Sequence, residues 1–185
     1  MALGLVVLGA ILTIFVNQSQ TNAAQQEIAY AQQHVRAAMD LMLREIRNAG
    51  FDPTGNGFEV IPLATADSIQ IRSDYDEDGI PDDASEDVTY AVNASDQLTR
   101  KVGAGTPSPI VDFVDNLEFG YVLRDGTMLD PPGVALTLAQ RDDVRAVIIR
   151  LGVRTENPAP DTREFRVRSL ETGVRIRNVG FQDIP

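Results

Sequence analysis

From Met1 to Val16 (MALGLVVLGAILTIFV) Thr13 is the only polar side chain, and then, with no helix breaker between, the pattern becomes two-faced. Between Ala10 and Ala49 there is neither proline nor glycine, and Ala, Gln, Glu, Leu, Met and Arg dominate. The pattern therefore predicts that a helix begun in the apolar run continues through the polar stretch. Its apolar positions Ile28, Ala31, Val35, Ala38, Met42, Ile46 and Ala49 recur at steps of three and four, a stripe that can lie on a sheet or against another helix. Arg44 and Arg47 favour the carboxyl end of the helix macrodipole, Gly50 suits a left-handed cap, and Pro53 bars continuation. One helix of about 49 residues, near 74 Å long at the standard rise, is expected.

The apolar third of that helix spans roughly 24 Å, short of a hydrocarbon core of ~30 Å. A secretory signal peptide would open on Lys or Arg and close on small residues, whereas this run has no basic start and Asn17-Gln18-Ser19-Gln20 follows it. A buried core helix is a second reading. A membrane or fibre-core segment is the reading favoured here, carried by Leu3, Leu5, Val6, Val7, Leu8, Ile11, Leu12, Ile14, Phe15 and Val16. The chain then divides into residues 1–24, the apolar half of the helix, and a head of residues 25–185, in which helix 25–50 packs on the sheet of 51–185.

After Gly50 the period shortens to two. Asp67 to Arg72 alternates, Val88 to Val92 and Gln97 to Val102 flank Asn93-Ala94-Ser95-Asp96 as a hairpin, and Leu117 to Leu123 alternates up to Arg124-Asp125-Gly126. Val144 to Arg154 has apolar residues on both faces and reads as a central strand. Glu164 to Ser169 and Gly173 to Arg177 complete the set, and Gly103 to Pro109, Asp130 to Gly133 and Asn157 to Pro160 read as loops. The expected class is α+β, an antiparallel sheet with the helix across one face.

Composition narrows the chemistry. The 185 residues, 43% hydrophobic, supply enough apolar surface for one core, and the absence of cysteine excludes disulfides, thiolate metal sites and a cysteine nucleophile. The net charge of -11 is concentrated: Asp74 to Asp87 contains eight acids and no base. No basic tract with interleaved aromatics is present, so nucleic acid is not an expected partner.

Within the acidic stretch, Asp74-Tyr75-Asp76-Glu77-Asp78-Gly79-Ile80-Pro81-Asp82-Asp83 places acids at loop positions 1, 3, 5 and 9 with glycine at 6, the spacing that wraps oxygens around Ca²⁺. The expected ligands are Asp74, Asp76, Asp78, the Ile80 carbonyl and Asp82. Position 12 is Ser85 where an EF-hand has its bidentate Glu, so Asp83, Glu86 or Asp87 are candidates for the missing oxygens. The competing reading is a solvated loop between two strands. His34, the single histidine, reads as a solvated or inter-helix residue. The pairs Asp82/Asp83 and Asp142/Asp143 have no accompanying nucleophile or phosphate loop, so no catalytic residue is assigned and no enzyme is expected.

The pattern is similar to that of type IV pilin-like proteins, in particular minor pilins of the PilW type and the J-type minor pseudopilins of type II secretion. ALGLVVLGAIL followed by the long polar helix resembles the continuation of a prepilin N-terminus. Met39 to Asp52 (MDLMLREIRNAGFD), Val114 to Gly126 (VDNLEFGYVLRDG), Asp142 to Glu156 (DDVRAVIIRLGVRTE) and Val174 to Phe181 (VRIRNVGF) carry further similarity, in the same order. The resemblance implies a pilin-like fold and a non-enzymatic subunit that joins, primes or caps a type IV pilus or secretion pseudopilus. It also implies partner subunits along the helix and a single pass of a bacterial inner membrane before assembly, with the head in the periplasm. A fibre-tip adhesin or substrate-binding subunit is the alternative it leaves open. The basic leader, the glycine before its cleavage point and the docking glutamate of prepilins are not among these residues, so a longer reading frame upstream of the Met1 codon is expected.

Overall fold

The computed structural model describes residues 2–83, 85–159 and 162–179, and within the first twenty it describes the side chains of Phe15, Gln18 and Ser19. Helix α1 (Ala2–Asn48) is continuous across the change from apolar to two-faced sequence. It ends where expected, with Gly50 at φ +77 and its N–H donating 2.8 Å to the Arg72 carbonyl. The buried face is Ala31, Val35, Ala38, Met39, Met42, Ile46 and Ala49, so the stripe read from the sequence holds except that Ile28 is only half-buried and Met39 joins it. Among the described residues no helix is long and apolar enough to cross a membrane. The side chains of Leu3, Leu5, Val6, Val7, Leu8, Ile11, Leu12, Ile14 and Val16 lie outside the described ones, and Phe15 is 70% exposed.

The strands form two antiparallel sheets where one was expected. β1 (Leu63–Ala64), β2 (Ser68–Arg72), β3 (Asp87–Val92), β4 (Leu98–Val102) and β5 (Ser108–Val111) follow one another as a meander. β6 (Val114–Leu123), β7 (Met128–Leu129), β8 (Val144–Arg154) and β9 (Val167–Arg175) make the second sheet, in the order β7-β6-β8-β9. β8 is central as its apolar faces suggested, and all nine residues of β9 pair with it, joining what the sequence divided into two strands. β5 lies partly in a stretch expected to be loop. Its Pro109 is tolerated because β5 is an edge strand and needs no outward ladder donor there. α2 (Leu138–Asp142) is a single turn closed by a Thr137/Gln140 capping box.

The sheets meet where the turn between β1 and β2 abuts the open edge of β6, the Phe119 N–H donating 2.7 Å to the Ala66 carbonyl. Tyr121, fully buried, donates its hydroxyl 2.8 Å to the Thr65 carbonyl in the same turn. α1 packs on β8, β9 and β5. It is also tied to the first sheet by polar contacts of Glu45, which accepts from Tyr90 Oη at 2.5 Å and from Arg100 Nη2 at 2.8 Å.

On the second sheet Arg150 sits among three carboxylates, Asp130, Glu171 and Glu118. Arg150 grips Asp130 with two bonds of 2.5 and 2.7 Å, and this guanidinium holds the Asp130 carboxyl below its usual range against a smaller opposing effect of burial. A depressed folded-state value contributes stability that is present above the unfolded value of about 3.9 and is lost as pH falls through the folded one. Asp130→Asn is therefore expected to flatten the acid limb of the stability curve, read as the urea midpoint between pH ~6 and ~2, relative to the parent chain.

Candidate metal site

The acidic segment is the connection from β2 to β3, whose last register pair is Arg72 with Asp87. Strands so paired need only a two-residue turn, so the long loop between them is not required by the sheet. It is folded upon its own carboxylates. Asp76 Oδ1 accepts the Asp78 N–H at 3.2 Å and Asp78 Oδ1 accepts the Ile80 N–H at 2.7 Å. These are aspartates bonding the backbone two residues on, which curls the chain without any helix or ladder. Asp74 reaches across the curl, its Oδ2 accepting the Gly79 N–H at 3.1 Å. Gly79 sits at φ +84, and a Cβ there would run into the Asn56 carboxamide and lie 3.1 Å from Thr54 Oγ1. Only glycine meets both demands at once.

One ligand oxygen from each of Asp74, Asp76 and Asp78 comes within 4.8 Å of the others. Asp76 and Asp78 are exposed, whereas Asp74 is 0% exposed and its Oδ1 has no hydrogen-bond partner. The structure thus gathers three of the five expected ligands. The Ile80 side chain is exposed and its carbonyl accepts the Asp82 N–H at 2.8 Å, while Asp82 and Asp83 are exposed.

Glu86 and Asp87 have other employment. Glu86 is 2% exposed, its Oε1 accepts the N–H groups of Tyr75 at 2.6 Å and Asp76 at 3.0 Å, and its Oε2 accepts that of Asp83 at 3.3 Å. Burial pushes its carboxyl up, but donation from the Asp76, Tyr75, Asp83 and Asp82 backbone outweighs this and holds it below the usual range. It serves as the frame on which the loop hangs. Asp87 is on β3, bonded to Arg72 Nε at 2.9 Å and Gln70 Nε2 at 2.6 Å. At Asp76 the Asp78 N–H favours the ionised form, yet desolvation and the neighbouring charges of Asp78, Glu86 and Asp83 raise its carboxyl above the usual range. The loop is crowded with negative charge that nothing within it neutralises.

A second segment packs on this loop. The turn after α1 is organised by Asp52, which accepts the Gly55 and Gly57 N–H groups, each at 2.8 Å, and the Thr54 hydroxyl at 3.0 Å. The Asp74 N–H donates 2.7 Å to the Phe51 carbonyl, the Phe51 and Tyr75 rings stack at 6.0 Å, and Thr54 Oγ1 approaches Asp74 Oδ2 at 3.4 Å. Sequence reasoning missed Thr54, Asn56 and the framing role of Glu86. The available signal was Asp52-Pro53-Thr54-Gly55-Asn56-Gly57, six turn-forming residues in a row. His34 is half-buried on α1 with its ring 4.0 Å from that of Tyr30. No protein-family model matches the chain, and no curated protein matches it significantly.

Proposed function

We propose that this chain is a structural subunit of a helix-cored filament, a minor pilin or pseudopilin-like protein that joins, primes or caps a type IV pilus or a type II secretion pseudopilus. On this reading the fold is pilin-like. The subunit passes once through a bacterial inner membrane before assembly, with its head in the periplasm, and its partners are other subunits that pack along α1.

One observation carries the proposal: α1 is a single uninterrupted helix, and among its described side chains full burial by the head begins only at Ala31, with Ala24, Glu27 and Ile28 half-buried before it. Some 29 residues, about 43 Å of helix, precede that point. An isolated helix of that length with an apolar face gains little stability by itself in water. A bilayer, and then a bundle of like helices, provides the apolar environment in which its backbone stays satisfied and its side chains stay dry. The head, two sheets clasping the last turns of the helix, has no need of that extension for its own core.

The test is to place a photo-crosslinking amino acid at Phe15 and at Gln18 in the organism that carries the gene, and to delete the gene in parallel. Crosslinks from Phe15 to helices of other subunits, with loss of filaments or of secretion on deletion, are expected. Intact filaments with lost attachment would favour a tip adhesin instead. Normal filaments, secretion and attachment together with no crosslink would overturn the reading.

A further inference from the structure

We propose that the β2–β3 loop binds one Ca²⁺ ion, and that the site is closed from outside the loop by Asn56 in the turn after α1, so that the ion fastens the end of the helix to the sheet. Asp74, Asp76 and Asp78 supply one carboxylate oxygen each, and the Ile80 carbonyl, which keeps a second lone pair beyond its bond to the Asp82 N–H, supplies a fourth oxygen. This inference is independent of the filament reading and stands or falls without it.

The decisive observation is Asp74. Its carboxylate is sealed from water, one oxygen is occupied by Gly79, and the other has no donor. A carboxylate oxygen so placed is costly unless a cation or a donor faces it. No Lys or Arg lies between Ser73 and Asp87, so the loop has no side-chain cation of its own to offer. The three oxygens lie within 4.8 Å of one another, close enough to share one ion. The donor set then points to Ca²⁺: all-oxygen ligands suit a hard cation, and Ca²⁺ takes them in flexible geometry, whereas Mg²⁺ demands a near-ideal octahedron and keeps several of its waters.

Three carboxylates and a carbonyl are fewer than the six to eight oxygens Ca²⁺ takes. Glu86, the residue nearest in sequence to an EF-hand's final ligand, is committed to backbone N–H groups. Asn56 is not so committed, and its carboxamide lies directly over Gly79, with Thr54 Oγ1 beside it. Rotation of that amide turns its oxygen toward the carboxylates, and water completes the shell. Because Asn56 belongs to the turn that begins at Gly50, the ion bridges the helix terminus and the β2–β3 connection.

The test is calorimetric titration of CaCl₂ into the purified full chain after chelator treatment, with thermal melting alongside. One saturable site is expected, with Kd in the range of roughly 10⁻⁴ to 10⁻³ M of extracellular calcium modules, together with a rise in Tm. MgCl₂ at the same concentration should neither bind nor compete. Asp76→Asn and Asp78→Asn, both at exposed positions that leave the core untouched, should each weaken binding at least tenfold while keeping the chelator-treated Tm of the parent. Asn56→Ala should weaken it about threefold to tenfold. Absence of heat and of a Tm change at about 10 mM Ca²⁺, or equal binding of Mg²⁺, would overturn the site. Full affinity in Asn56→Ala would overturn its closure by the helix-end turn.

Discussion

Replacing Phe119 by alanine is expected to destabilise the head by about 3–5 kcal/mol. The ring is 0% exposed and is among the largest side chains in the core. Its own N–H makes the bond to Ala66 by which β6 meets the first sheet, and Ile149 is its register partner on β8. Truncation therefore opens a cavity at the junction of the two sheets, where both backbones are pinned by hydrogen bonds and cannot collapse inward to fill it. Against a typical total of 5–15 kcal/mol this is a large fraction. The measurement is the urea midpoint with the m-value held fixed, and Ile149→Val, costing about 0.5–1.5 kcal/mol, is the matched control for a small deletion at the same place. A Phe119→Ala loss no larger than that of the control would mean that the sheets are not braced at this point.

Much of this architecture follows from periodicity alone. The three-and-four spacing from Ala31 to Ala49 required a helix with one buried face, and Gly50 with Pro53 required its end. The alternation at β2, β3, β4 and β6, and the two apolar faces of β8, located the strands that carry the core. What escaped was whatever depends on neighbours distant in sequence. β1 and β7 have two residues each, too short for any period, and exist only because β2 and β6 offer edges to pair with. How the two sheets meet rests on the Phe119–Ala66 contact, which no local pattern encodes. The sequence divides β9 at Leu170-Glu171-Thr172, where the alternation of Glu164 to Ser169 stops before Gly173 to Arg177 resumes it, yet β8 provides nine partners and holds the strand through them.

The candidate metal site divides the same way. Asp74, Asp76, Asp78 and Gly79 were legible because their spacing is local and its mechanism is local: Asp76 and Asp78 each bond the backbone two residues on, and Asp74 bonds Gly79 five residues on. The burial of Asp74 was not legible, since in sequence it is one acid of eight and nothing distinguishes it from its exposed neighbours. Glu86 and Asp87 were equivalent candidates in sequence, and only the fold separates them from a ligand role by giving one to backbone N–H groups and the other to Arg72. Asn56 lies on a different segment, so no spacing rule could have linked it to Gly79.

Replacing Glu45 by alanine is the second change with a large expected effect, about 2–3 kcal/mol. An exposed ion pair contributes about 0–1 kcal/mol, and breaking a buried one costs about 3–5 kcal/mol. Glu45 and Arg100, each with 21% of its side chain exposed, fall between these limits. The hydroxyl of Tyr90, a fully buried residue, adds to the loss because Glu45 is its acceptor. Glu45→Gln keeps an acceptor and should cost less than half as much, whereas a steric role would leave the glutamine variant unaffected. The same cluster predicts behaviour in alkali. Burial first, then the hydrogen bond and charge of Glu45, push the Tyr90 phenol well above its ordinary value of 10.0. Because the folded state holds this proton more tightly than the unfolded one, the stabilisation is complete below pH ~10 and is lost as pH rises through the folded value. Removing Glu45 takes away two of the three causes that raise the phenol. In Glu45→Ala the stability curve should therefore fall less steeply above pH ~10 than in the parent, and a phenolate absorbance step at 295 nm should move to lower pH. An unchanged slope and an unchanged step would show that Glu45 does not hold the Tyr90 proton and that burial alone accounts for it.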